Sequence, residues 1–108
     1  MSCNYQTLFS GNYGYVVVCN ECNTYQLAFL SSLISFTSAQ YQYFQSQVKS
    51  EIDKNNDSLQ VNCKSVVLNT ADSSVRLLLT PSELAELNTM LEHADTEART
   101  AALLQLFA

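Results

Sequence analysis

Apolar positions along this chain change their period several times, and each change predicts an element. Tyr13 to Cys19 is rich in Tyr and Val, which suit a pleated, half-buried surface, and reads as a strand. Asn20 and Glu21 separate Cys19 from Cys22, and Thr24 to Phe29 reads as a second strand. Tyr25, Leu27 and Phe29 share one face there, because side chains alternate along a strand. Leu30 to Ser32 turns the chain, and Leu33 to Phe36 completes a meander.

The period then becomes helical. Thr37 and Gln40 have capping-box spacing, in which the hydroxyl takes the N3 amide and the amide side chain reaches back. Tyr41, Phe44, Val48 and Ile52 follow on one face, and the polar run Lys54-Asn55-Asn56-Asp57 ends the helix. A strand is expected from Cys63 or Ser65 to Asn69, a turn over Thr70 to Ser74, and a strand through Val75, Leu77 and Leu79. Thr80-Pro81-Ser82-Glu83 is a second helix start, with Thr80 as cap, Pro81 at the first helical position and Glu83 closing the box. Leu84, Leu87, Leu91 and Ala94 form its apolar stripe.

Residues 94 to 108 admit two readings. No Gly or Pro interrupts them, so one helix can run to the end, while Asp95 or Thr96 can equally cap a separate short helix. Ala98, Ala101, Ala102, Leu104 and Leu106 are apolar, as are Leu103 and Phe107, which makes too many faces apolar for a solvated tail. The segment is expected to pack on the body or on another subunit.

Phe36-Thr37 through Val48 parallels Leu79-Thr80 through Leu91: an apolar residue, a Thr cap, a Gln or Glu box and a matched helix core. This suggests a strand-hairpin-helix pseudo-repeat, although any strand-to-helix junction shares the pattern. Strands followed by helices in short local units argue for an α+β fold: one domain over residues 1–108, with an antiparallel sheet of about five strands and two or three helices.

Composition changes this picture little. The 108 residues are 47% hydrophobic and 14% charged, where about a quarter charged is usual. A thinly charged surface favours self-association, so a homodimer or another protein partner is expected. Lys49, Lys54, Lys64, Arg76 and Arg99 form no cluster, and the net charge is -5. Phosphate neutralisation needs a basic patch, so neither nucleic acid nor an anionic membrane is an expected partner. The N-terminus lacks a basic segment followed by an apolar one, so a cytoplasmic, reducing compartment is expected.

Cys19-Asn20-Glu21-Cys22 is the one local motif with chemical content. Two thiolates spaced by two residues between strands match half a zinc ribbon. Tetrahedral zinc needs two more ligands, and the candidates are Cys3, Cys63 and His93; Cys3, Cys19, Cys22 and Cys63 together would make a tetrathiolate site. The same cysteines also read as small buried apolar residues, or as a thiol-redox pair that lacks the helix N-terminus such a pair uses. Zinc is thus the one candidate cofactor. His93, close to the expected helix end, reads as a cation on the helix dipole. The carboxylates are scattered over caps, turns and helix faces, and no nucleophile has a base placed beside it, so no catalytic residue is expected. Gly11-Asn12-Tyr13-Gly14 precedes a strand and reads as a turn, not a phosphate loop, and Tyr41, Tyr43 and Phe44 read as helix core before base-stacking platform.

The run Cys19-x-x-Cys22, Tyr25-Gln26-Leu27-Ala28-Phe29 and a Thr-capped helix resembles a family of short, uncharacterised Bacteroidetes proteins, over most of the chain. Members tend to carry Gly after the Phe, where this chain has Leu30. The resemblance implies a cytoplasmic protein and transfers no activity and no functional residue.

Overall fold

The computed structural model describes residues 4–54, 63–70, 72 and 74–107. Four strands run as an antiparallel meander: β1 (Tyr5–Gly11), β2 (Gly14–Cys19), β3 (Thr24–Phe29) and β4 (Ser32–Thr37). Helix α1 (Ser38–Lys54) follows, then a separate hairpin of β5 (Val66–Asn69) and β6 (Arg76–Leu79), and finally α2 (Pro81–Leu106). The fold is α+β as expected. The described strands number six, in sheets of four and two, where about five in one sheet were expected.

The extra strand is β1, over residues to which the sequence pattern assigns no element. Its pattern is broken by a bulge: Thr7 pairs with Val17 and Phe9 with Val16, so Leu8 is the additional residue. A bulge of this kind turns two successive side chains to the same side. Leu8 is buried and Phe9 packs beside it against the core. Gly11-Asn12-Tyr13-Gly14 is indeed a turn, but it joins β1 to β2. Gly14 has a φ of +152°, and a Cβ there would overlap the Ala28 carbonyl oxygen on the neighbouring strand. Only glycine fits that approach.

Alternation assigns the inner face of the sheet. Val16, Val18, Leu27, Phe29 and Phe36 are buried beneath α1 and α2. Tyr41, Phe44 and Val48 meet them from α1, and Leu84, Leu87, Met90, Leu91 and Ala94 from α2. The β5–β6 hairpin closes the core with Val66, Leu68, Leu77 and Leu79, whose neighbours Val67 and Leu78 point outward. Aromatic rings link sheet to helix. Tyr25 lies flat on Tyr41 with centroids 4.2 Å apart and planes 8° from parallel, and Phe36 touches both Tyr41 and Phe44.

Both helix starts form as the spacing predicts. The Thr37 amide donates to Gln40 Oε1 (2.9 Å) and the Gln40 amide to Thr37 Oγ1 (3.2 Å). The Thr80 amide donates to Glu83 Oε1 (2.9 Å) and the Glu83 amide to Thr80 Oγ1 (3.0 Å). In element order a hairpin precedes each of these boxes, β3–β4 before α1 and β5–β6 before α2, although the hairpins belong to different sheets. Helix α1 is described as far as Lys54, and the rest of its expected end, Asn55 to Asp57, lies outside the described residues.

The open question over residues 94–108 resolves to one helix of 26 residues. At 1.5 Å per residue it is about 39 Å long, more than the 30 Å second dimension of the molecule. The radius of gyration is 14.6 Å, against about 13 Å for a compact chain of this length. The native surface of 7030 Å² likewise exceeds the roughly 6,000 Å² that the mass implies. No described helix is long and apolar enough to cross a membrane.

Two expectations follow. Leu30 opens the two-residue β3–β4 turn at φ 55°, a left-handed conformation that costs a side chain with a Cβ about 1–2 kcal/mol. Its side chain is half exposed, so little packing is lost on removing it. Leu30→Gly should therefore stabilise the fold by about 1 kcal/mol in urea unfolding, net of the extra freedom glycine gives the unfolded chain; a lowered midpoint would contradict this. The second concerns Glu83. Its carboxyl is held below the usual range, chiefly by the Lys64 ammonium and then by the Thr80 amide. A glutamate in the unfolded chain titrates at about 4.3, so this contribution is complete above that pH and is lost as pH falls through the lower folded value. Glu83→Gln keeps an oxygen for the cap and removes the charge. Between about pH 7 and pH 3 the wild type should lose more stability than this variant; parallel loss in both would reject the assignment.

Candidate functional site

The Cys-x-x-Cys segment spans the end of β2 and the four-residue turn, Asn20 to Asn23, that leads into β3. The Asn23 amide donates to the Cys19 carbonyl at 2.8 Å, and Asn23 takes the left-handed conformation (φ 56°) that lets the chain re-enter β3. Asparagine tolerates this better than most residues, because its short side chain bonds locally. The Asn20 side chain donates to Gln6 Oε1 of β1 at 3.0 Å and fastens the turn to the sheet.

This turn separates the two cysteines in character. Cys19 is fully buried, yet it stands outside the main core cluster. By alternation it shares the outward row with Tyr5, Thr24 and Thr37, opposite to Val18. Cys22 is exposed at the turn, and Cys63 is exposed just before β5. Cys3, the fourth member of the conceivable tetrathiolate, lies outside the described residues. Among the described residues, no three His, Cys, Asp or Glu side chains converge as metal ligands would.

His93 does not sit at a helix end. Helix α2 continues through it to Leu106, so the expected interaction with the terminal carbonyls does not arise. Its imidazole instead stacks on Phe9, with centroids 5.7 Å apart and planes 30° from parallel. Sequence spacing could not find this contact, since it depends on the β1 bulge. Several of the scattered carboxylates are engaged locally: Glu51 with Lys54, Glu83 with Lys64, and Asp95 with Arg99.

Helices α1 and α2 enclose an open groove of about 280 Å³, lined by Gln45, Lys49, Asn88, Glu92, Asp95 and Arg99 among others. Its opposite charges balance, and Arg99 already reaches Asp95 at 3.1 Å. The buried Asn88 Oδ1 has no hydrogen-bond partner among the described residues. The Tyr41 hydroxyl is in the same condition. Burial, and then the proximity of Tyr25 and Asp95, push its ionisation far above the ordinary tyrosine value. Tyr41 is therefore a neutral ring in a stack and not a base.

A family of unknown function, DUF6686, matches residues 1–106. The chain belongs to that family. No curated protein and no solved structure matches it. Membership in DUF6686 agrees with the resemblance to an uncharacterised family and assigns no role to any residue.

The surface features of this DUF6686 chain are more distinctive than its titratable groups. Leu103, Leu104, Leu106 and Phe107 are 56%, 66%, 77% and 86% exposed. The opposite stripe of α2, Ala98, Ala101, Ala102 and Gln105, faces the end of the sheet across a shallow cleft beside Gln6 and Tyr25. Small residues therefore turn toward the body and large apolar ones away from it. Charge is equally segregated. Glu21 is the one charged side chain before Lys49, so β1 to β4 carry none on either face.

The contrast in burial gives a direct expectation. A thiol reagent such as iodoacetamide should label Cys63 rapidly in the native protein and Cys19 only at the rate at which the sheet opens. Peptide mapping by mass spectrometry after timed quenching measures both rates. Equal labelling would place Cys19 at the surface.

Proposed function

We propose that this chain is a non-enzymatic interaction module that associates with a second copy of itself through the last two turns of α2. The observation that carries this reading is the outward apolar stripe Leu103, Leu106 and Phe107, joined by Leu104. These side chains expose on the order of 500 Å² of apolar surface, toward the upper end of what the largest patch on a monomer presents. Residues 100–107 contain no charged side chain, so two copies meet there without burying an unpaired charge. The rest of α2 is strongly charged, with Glu83, Glu86, Glu92, Asp95, Glu97 and Arg99. That division is what a solvated shaft with a covered tip requires.

Sedimentation equilibrium on the full chain tests this. The wild type should be a dimer at micromolar concentration. Leu106→Glu together with Phe107→Glu should raise the dissociation constant by about 30-fold or more, as expected for losing an apolar anchor that contributes about 2 kcal/mol. Both positions are exposed, so the melting point of the monomeric form should move little. A wild type that remains monomeric at several hundred micromolar would overturn the proposal.

A further inference from the structure

The four-stranded sheet has a second face, and among the described residues no helix covers it. Register places Tyr15, Ala28 and Leu33 side by side across β2, β3 and β4, with Val17, Gln26 and Ser35 as the next row. Tyr15 is 39% exposed and Leu33 59%. The solvated face of an antiparallel sheet ordinarily alternates apolar-in with polar-out and often carries charge. Here the outward rows combine Tyr, Val, Ala and Leu with uncharged Gln and Ser. A sheet face of this composition is one that a helix layer normally covers.

Area decides what covers it. If the α2 ends of two copies met only each other, each would bury at most about 500 Å², below the roughly 800 Å² per partner of a standard stable interface. A helix end laid on the outer sheet face buries both patches, and a two-fold axis generates the contact twice. Each copy then contributes its helix end and its sheet face, which brings the total into the stable range. Neither patch carries a charged side chain of its own, and Asp72, which borders Leu33 across a cleft, already accepts hydrogen bonds from the Ser74 amide and hydroxyl.

The geometry points to a reciprocal homodimer, in which Leu103, Leu106 and Phe107 of each copy lie across the Tyr15–Ala28–Leu33 row of the other. This rests on the self-association proposed above and names the surface that receives the helix.

Complementation tests it. Leu33→Lys damages the sheet face and leaves the helix end intact, and Leu106→Glu does the reverse. Each full-length variant alone should dissociate at least about 30-fold more readily than wild type, since both contacts of its dimer are damaged. An equimolar mixture should regain association to within about tenfold of wild type. The mixed dimer keeps one undamaged contact, and in the other the ammonium introduced on one sheet face meets the carboxylate introduced on the opposing helix end. Circular dichroism and melting points of the variants control for folding. If Leu33→Lys dimerises like wild type while Leu106→Glu does not, or if the mixture shows no rescue, the sheet face is not the receptor and this inference fails while association through the helix end survives. A monomeric wild type, or a Leu106→Glu chain that dimerises normally, rejects both.

Discussion

A sheet of four alternating strands has two faces, and the described helices cover only one. That constraint organises the molecule. Val16, Val18, Leu27, Phe29 and Phe36 are sealed under α1 and α2, and the small hairpin β5–β6 fills the remaining side of the same core. Rings fix α1 over the inner face: Tyr25 lies flat on Tyr41, and Phe36 packs against both Tyr41 and Phe44. The buried Tyr41 hydroxyl, without a partner among the described residues, opposes this, so the site gains its stability from ring contact and area rather than from polarity.

What local physics determines was legible in the residues. Both capping boxes depend on side chains three positions apart, and both form. The core stripes of the helices follow from the 3.6-residue period: Tyr41, Phe44, Val48, Leu84, Leu87, Leu91 and Ala94 are buried, and Ile52 is partly buried against the core. Strand β1 was hidden because its bulge puts Leu8 and Phe9 on one side and destroys the period of two. The number of sheets was hidden too, since pairing joins residues far apart in sequence and β5–β6 pair only with each other. Helix α2 could be read as one or two, because an Asp or Thr inside a helix can look like a cap.

The candidate surfaces were legible in part for the same reason. Composition shows that residues 103–107 are apolar, but only the helix phase shows that the alanines face the body and the leucines face away. The Cys19–Cys22 spacing is visible in the sequence, whereas the enclosure of one and the exposure of the other depend on the left-handed Asn23 that closes their turn. The outer sheet face needs the register of three strands before Tyr15, Ala28 and Leu33 become a row.

An apolar, uncharged sheet could also associate through its edges, and the structure argues against that route. An edge strand is protected by a bulge or by a nearby charge. The bulge at Leu8 interrupts the outer ladder of β1. At the other edge, the turn between β5 and β6 brings Thr70, Asp72 and Val75 beside Leu33, Ile34 and Ser35 of β4, across a cleft of about 240 Å³. Asp72 accepts hydrogen bonds from the Ser74 amide and hydroxyl at 2.9 and 2.7 Å, which holds a carboxylate next to that strand. An added strand would have to pass this charge. With both edges guarded, the proposed association uses the sheet face rather than its edges. In the reciprocal dimer proposed above, the helix end and the sheet face of both copies would be used at once, so assembly would close at two and leave neither patch free to recruit a third.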